Sequence, residues 1–178
     1  MAHLQLSRTD NCIDEQIKQY GSMVYKIAIL YLRNKADAED VFQDVFLKLF
    51  TSDVEFNAEP QRKAWLTVTT INHCKNLLRS VWRSRTVELD ELCVAVEDNY
   101  SDVESDFVKQ ILSLPLKYRR VIFLYYYEGY SGDEIAEMLN ITPSTVRSQM
   151  RRAREMLRVK LDEPEGDENI EVQQITRL

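Results

Sequence analysis

SGDEIAEMLNITPSTVRSQMRRAREML, from Ser131 to Leu157, is the stretch on which the reading of the whole chain turns. Ser131 and Glu134 stand in the S-x-x-E spacing of a capping box, which gives a helix a defined start. Ile135, Ala136, Met138 and Leu139 supply that helix with an apolar side. Asn140 falls where the helix has to stop, and Asn tolerates the left-handed conformation better than any residue but Gly. Thr142 then caps a second helix, with Pro143 at its first position, where a missing N–H costs nothing. At about 100° per residue, Val146, Met150, Ala153 and Leu157 share one narrow side. Ser144, Ser148, Arg151 and Glu155 lie opposite. Arg147 and Arg158 flank Arg151, and Thr145 and Arg152 lie on the other flank. Short polar side chains followed by arginines suit a helix that enters a DNA major groove, because the backbone can approach base edges while Arg reads guanine or holds phosphate. The stretch is therefore expected to be a helix-turn-helix. A helical hairpin with a solvated basic face is the competing reading.

The remaining sequence fits this helical reading. With only four Gly and four Pro in 178 residues, the composition predicts an all-α protein of one or two domains. There is no long apolar run and no signal peptide, so no membrane insertion is expected and the location is expected to be the cytoplasm. Cys12, Cys74 and Cys93 are widely spaced and lack C-x-x-C, which predicts reduced thiols and no metal site or disulfide. The net charge of −6 argues at first against nucleic acid, but the charges are segregated. Residues 61–85 hold Arg62, Lys63, Lys75, Arg79, Arg83 and Arg85 and no acid. Residues 147–160 hold Arg147, Arg151, Arg152, Arg154, Arg158 and Lys160 against Glu155 alone. Acids concentrate in residues 86–107 and 162–171. The local field, not the sum, decides where a polyanion docks.

In chain order, residues 1–12 read as a frayed polar lead-in, and 13–33 as an amphipathic helix carrying Tyr20, Val24, Ile27 and Tyr31, with a break near Gly21. Residues 37–50, DAEDVFQDVFLKLF, form a helix whose inward side is Val41, Phe42, Val45, Phe46 and Leu49. Asp40, Gln43, Asp44 and Leu47 share its other side. An exposed leucine rimmed by acids and an amide is an interface pattern, although a solvated acidic face with one stray leucine fits too. A loop over 51–59 leads to Pro60, which opens a helix reaching about Arg83. Leu66, Thr70, Ile71, Cys74, Leu77, Leu78 and Val81 form its core side. Opposite run Trp65, Asn72, Asn76, Arg79 and Arg83, with Thr69 and Lys75 near by. One ring, two amides and two arginines on a single stripe suit a single nucleic-acid strand: the ring stacks, the amides bond base edges and the arginines follow phosphates. Packing of Trp65 and Trp82 on neighbouring helices is the alternative. Residues 86–102 read as a flexible acidic linker. Helices follow from Val103, with Leu114-Pro115 as a break and 117–127 as a further helix with Val121, Ile122, Leu124 and Tyr125 inward. The acidic segment 162–178 closes the chain; its acids could cover the basic faces, or it could be a plain solvated tail.

Three of these stretches together carry a family resemblance. DAEDVFQDVFLKLF resembles the polymerase-binding segment of bacterial sigma factors. AWLTVTTINHCKNLLRSVWR resembles the segment that recognises and melts the −10 promoter element. LPLKYRRVIFLYYYEGYSGDEIAEMLNITPSTVRSQMRRAREML resembles the domain that reads the −35 element. Their order and spacing are similar to the extracytoplasmic-function (ECF) group of the sigma-70 family, which keeps only regions 2 and 4. The resemblance implies two small helical domains, a region 2 bundle at 13–85 and a region 4 helix-turn-helix at 103–161, joined by the linker at 86–102 and followed by the tail at 162–178.

It also implies roles. Asp37, Glu39, Asp40, Gln43, Asp44 and Leu47 would meet a coiled coil of core RNA polymerase. Asn57, in the loop before Pro60, would help to shape a pocket for a flipped −10 base. Trp65, Asn72, Asn76 and Arg79 would line the single strand, with Arg62, Lys63, Lys75 and Arg83 of the same basic block. Ser144, Thr145, Arg147, Ser148, Arg151 and Arg152 would enter the −35 groove, with Thr142 and Gln149 completing that set. Promoter DNA and core polymerase are the implied partners, an anti-sigma protein a further one, and no cofactor, metal or catalytic residue is implied. Several positions depart from the pattern: Ile71 stands where a basic residue is frequent, Asn76 where an acid is, Gln149 where an Arg is, and Asn140 where the turn Gly is common. A stand-alone dimeric helix-turn-helix regulator is the main alternative, but no heptad run beyond the domain offers it a dimer face. An enzyme fits poorly, since His3 and His73 are the only histidines and no Gly-rich phosphate loop is present.

Overall fold

The computed structural model describes the backbone of residues 2–84 and 110–162, and the side chains of residues 13–80 and 110–158. The expected linker at 86–102 and the tail from residue 163 lie outside the described residues. Among the described residues every regular element is helical. The chain divides into two units, Met1–Glu91 and Leu92–Leu178.

The first unit is built on α1 (Ala2–Leu32), which packs against both α2 (Lys35–Thr51) and α3 (Glu59–Ser84), and these two also meet. The expectation of a frayed lead-in to residue 12 is corrected: the helix already runs from Ala2, since no Gly or Pro interrupts its hydrogen-bond ladder before Gly21. Nor does Gly21 break it. A Cβ there would lie 3.3 Å from the ring of Phe42, so the missing side chain permits the close approach of α1 and α2. From Ile27 to Leu32 every residue of α1 is buried. Arg33, left-handed at φ 52°, turns the chain, and the Asn34 side chain caps α2 by accepting the Asp37 N–H at 3.1 Å. In α2, Ala38, Val41, Val45 and Phe46 are buried, while Phe42 and Leu49 are half-buried. In α3, Leu66, Thr67, Thr70, Ile71 and Cys74 are buried. Two of the buried hydroxyls return to their own helix, Thr67 to the Lys63 carbonyl at 3.0 Å and Thr70 to that of Leu66 at 2.7 Å.

In the second unit, residues 110–112 are helical and the chain bends at Ser113–Pro115. There buried Arg119 donates from Nη1 to the Leu114 carbonyl at 3.4 Å. The helix expected over 117–127 is instead α4 (Leu116–Ile122) followed by a π-helical turn, Phe123–Tyr127. The Glu128 N–H reaches back five residues to the Phe123 carbonyl at 3.1 Å. The wider turn rotates Tyr125 outward, to 41 % exposure, correcting its expected inward place. Phe123 and Leu124 fill the core, and Phe123 stacks on Tyr127 with centroids 4.7 Å apart. Gly129, at φ 77°, then leads into α5 (Gly132–Leu139) and α6 (Pro143–Asp162).

The α5–α6 pair forms as its caps predict. Ser131 Oγ accepts the Glu134 N–H at 3.3 Å and Glu134 Oε2 accepts the Ser131 N–H at 2.8 Å, which closes the capping box. These bonds favour the ionised form and hold the Glu134 carboxyl below its ordinary pKa. Asn140 is left-handed (φ 54°, ψ 53°), and the Ile141 N–H past it bonds the Ala136 carbonyl at 2.9 Å. Thr142 Oγ1 accepts the Thr145 N–H at 3.2 Å to start α6. Because the left-handed region is costly for a residue with a Cβ, and most so for a β-branched one, Asn140→Val is expected to cost about 1–2 kcal/mol. Asn140→Gly is expected to be neutral or stabilising, with both values read from urea midpoints of the full chain.

Candidate nucleic-acid and protein interfaces

With Val41, Val45 and Phe46 turned inward, α2 presents Glu39, Asp40, Gln43, Asp44 and Leu47 to solvent, with Asp37 half-buried. Leu47 is 62 % exposed, the most exposed large apolar side chain among the described residues. Four of its predicted companions therefore surround it on one face. At the edge of this face Asp44 Oδ2 lies 3.9 Å from Nδ1 of His73 on α3.

On α3 the structure brings together part of the predicted stripe. Asn72, Asn76 and Arg79 are exposed and share one side, with Lys75 half-buried beside them. Arg83 lies beyond the described side chains. Thr69, expected near the stripe, is buried, and Ile71 is fully buried on the expected core side, so the position where the family pattern has a basic residue belongs here to the core. The head of the stripe is differently arranged. Trp65 is half-buried, edge-on to Phe56 at 5.7 Å, with Lys48 Nζ 5.9 Å from its ring centroid. Arg62 is also half-buried; its Nη1 donates to Gln16 Oε1 on α1 at 3.1 Å, and its guanidinium carbon lies 5.4 Å from the Phe56 ring. Lys63 is half-buried. Asn57 is exposed, and its N–H is held by Gln61 Oε1 at 3.1 Å. Sequence reasoning missed Phe56, Gln61 and Gln16. The signal for Phe56 was there, a lone aromatic in the polar run DVEFNAEP.

On α6 the division into faces follows the helical period. Val146, Met150, Ala153 and Leu157 are buried. Thr142, Ser144, Arg147, Ser148, Arg151 and Arg152 are exposed, with Thr145 half-buried. The hydroxyls of Thr142, Ser144 and Thr145 form a short chain, with Thr142 Oγ1 2.8 Å from each of the other two. Arg151 is paired with Glu155 one turn on. Gln149 is half-buried, and its carboxamide oxygen is buried without a hydrogen-bond donor among the described residues. Arg154 turns to the Tyr126 ring at 5.6 Å. Among the described residues no cluster of His, Cys, Asp and Glu could hold a metal. No helix there is long and apolar enough to cross a membrane.

Cys74 tests the orientation of α3. It lies on the core side, and burial pushes its thiol up to about 12 from 9.0. Its protonated burial contributes stability that is complete below 9.0 and is lost as the pH rises towards 12. Iodoacetamide at pH 8 is therefore expected to leave Cys74 unlabelled in the folded chain and to label it in denaturant, as read by peptide mass.

Two regions match known families. Residues 16–84 match Sigma-70 region 2 and residues 105–157 match Sigma-70, region 4. The chain is similar to the ECF RNA polymerase sigma factor SigE of Mycolicibacterium smegmatis, at 32% identity over 82% of this chain and 60% of that protein, so it spans less than two thirds of this relative's length. It is also similar to the RNA polymerase sigma factor SigV of Bacillus subtilis, at 28% identity over 77% of this chain and 83% of that protein. In fold it resembles the sigma factor RpoE of Bartonella quintana, solved in complex with the anti-sigma factor NepR, with a TM-score of 0.63 at 23% identity over 85% of this chain and 98% of that one.

Proposed function

The chain belongs to the sigma-70 family, and we propose that it is a member of the ECF group and acts as a promoter-specificity subunit, directing core RNA polymerase to particular promoters and initiating transcription there. The observation that carries this reading is the pairing of two unlike surfaces on one three-helix unit. Leu47 with its rim of Asp40, Gln43 and Asp44 suits a protein partner, and the Asn72–Asn76–Arg79 stripe suits a single strand. A regulator that reads only duplex operator DNA has no use for either, so the stand-alone alternative is disfavoured.

In this reading α2 holds the polymerase, with Asp37 and Glu39 extending the contact. The stripe on α3 holds the unpaired −10 strand, with Lys63, Lys75 and Arg83 adding positive charge along it. Asn57 contributes to a pocket for an extruded base. The outward side of α6 enters the −35 major groove through Ser144, Thr145, Arg147, Ser148, Arg151 and Arg152. Strand opening needs no covalent chemistry from the protein; binding of the unpaired bases and the polymerase contacts drive it. The chain acts in the bacterial cytoplasm, where core polymerase and promoter are found. The RpoE relative in fold is seen with an anti-sigma factor, and an anti-sigma protein that masks these faces is the regulatory partner proposed here.

Run-off transcription with core polymerase and a promoter library tests the reading, and absence of polymerase-dependent initiation from every promoter would sink it. Arg151→Ala is expected to weaken use of the −35 element by about 1–3 kcal/mol and to spare polymerase binding. Leu47→Asp is expected to lower polymerase affinity by roughly tenfold or more and to spare duplex recognition. The same defect in both variants would refute this division of labour.

A further inference from the structure

The loop between α2 and α3 turns a single side chain inward between residues 53 and 58. Of residues 53–58, only Phe56 is not exposed. Its ring meets Trp65 edge-on at 5.7 Å and has the Arg62 guanidinium carbon 5.4 Å from its centroid. Arg62 is itself fixed, donating to Gln16 Oε1 on α1 at 3.1 Å. It also lies close enough to buried Tyr20 to oppose the rise in that hydroxyl's pKa, which burial causes and Glu59 reinforces. A planar guanidinium that both stacks on a ring and bonds a side-chain amide has its direction set. One residue further on, the Asn57 N–H is tied to Gln61 Oε1 at 3.1 Å, so the chain leaving Phe56 is held as well.

We infer that Arg62 and Phe56 are positioning residues and not strand contacts: Arg62, anchored to α1 through Gln16, holds Phe56 against Trp65, and this trio sets where the loop presents Asn57 at the head of the α3 stripe. The basic block places Arg62 among the groups expected to meet the −10 strand. The structure directs its charge inward to the bundle, where it serves the loop. Trp65, engaged by Phe56 and Lys48, belongs to the same anchor. The inference rests on the strand-capture reading of the α3 stripe.

The test uses holoenzyme assembled from core polymerase and the full chain, and a promoter fragment selected by the wild-type holoenzyme and pre-melted across its −10 element. Affinity is measured against salt. Arg62→Ala and Phe56→Ala are each expected to weaken binding by roughly tenfold, with the wild-type dependence of log K on log salt. The double variant is expected to be no weaker than either single one, because each removes the same anchor. Phe56→Tyr, which keeps the ring, restores binding. A direct phosphate contact by Arg62 would instead make the salt slope shallower by about 0.7 on its removal. That result, or losses that multiply in the double variant, would overturn the positioning role alone. Should Phe56→Ala not fold, Phe56→Leu takes its place, keeping apolar volume without the ring, under the same two criteria. If the wild-type holoenzyme selects no promoter, or captures no pre-melted one, the strand-capture reading fails and this inference with it.

Discussion

Between Ile27 and Leu32 helix α1 has no outer side, and the rest of its unit depends on that burial. A helix buried all round needs partners on more than one flank. Helices α2 and α3 supply them, each with one narrow apolar stripe. Once Val41, Val45 and Phe46 have been used on one flank, and Leu66, Thr70, Ile71 and Cys74 on the other, the remaining sides of both helices have only solvent to face. The acid-rimmed Leu47 and the Asn72–Arg79 stripe are thus outward because the core leaves them no other place. Gly21 tightens the arrangement by admitting the Phe42 ring where a side chain would stand.

What could be read from the sequence was whatever a single helix decides for itself. The capping box at Ser131–Glu134, the left-handed stop at Asn140 and the four inward residues of α6 follow from local bonding and period, and they appear as read. The outward placement of Leu47, Asn72, Asn76 and Arg79 follows in the same way. The misreadings arise where one element answers to another. Arg62 counts as one more positive charge in a basic block until Gln16 and Phe56 are brought to it from elsewhere in the chain. Gly21 reads as a break until the Phe42 ring is seen against it. Thr69 lies close to the stripe by angle but is buried in the folded unit. The π turn at Phe123–Tyr127 leaves no mark on a period assumed to be constant, and so Tyr125 was assigned to the wrong side.

The net charge of −6 is compatible with DNA binding because the charges are sorted by face. Within the first unit the exposed acids belong to α2 and the basic groups of the stripe to α3, and Asp44 of α2 lies 3.9 Å from His73 of α3. An acidic face repels a phosphate backbone, so a polyanion meeting this unit is turned towards the α3 side. The same sorting keeps the α2 face available to a protein. At the start of α6 the polar groups are neutral hydroxyls that already bond one another, and desolvating them in a groove costs less than desolvating isolated ones.

The π turn carries a consequence for how this second unit could have changed over evolutionary time. A π-helical turn is what a helix makes of one residue too many: the extra residue is absorbed as a widened coil. The hydrogen bonds lengthen their reach to five residues at Phe123–Glu128, and Tyr130 closes on Leu124 at 3.0 Å. The run Tyr125-Tyr126-Tyr127 therefore has the form of an insertion accommodated without a loop. The excess length is taken up before Ser131, so the register of the α5–α6 hairpin is insulated from it. Chain length upstream and helical register downstream can then drift separately, and lineages can lengthen or shorten this connection without rewriting the outward side chains of α6.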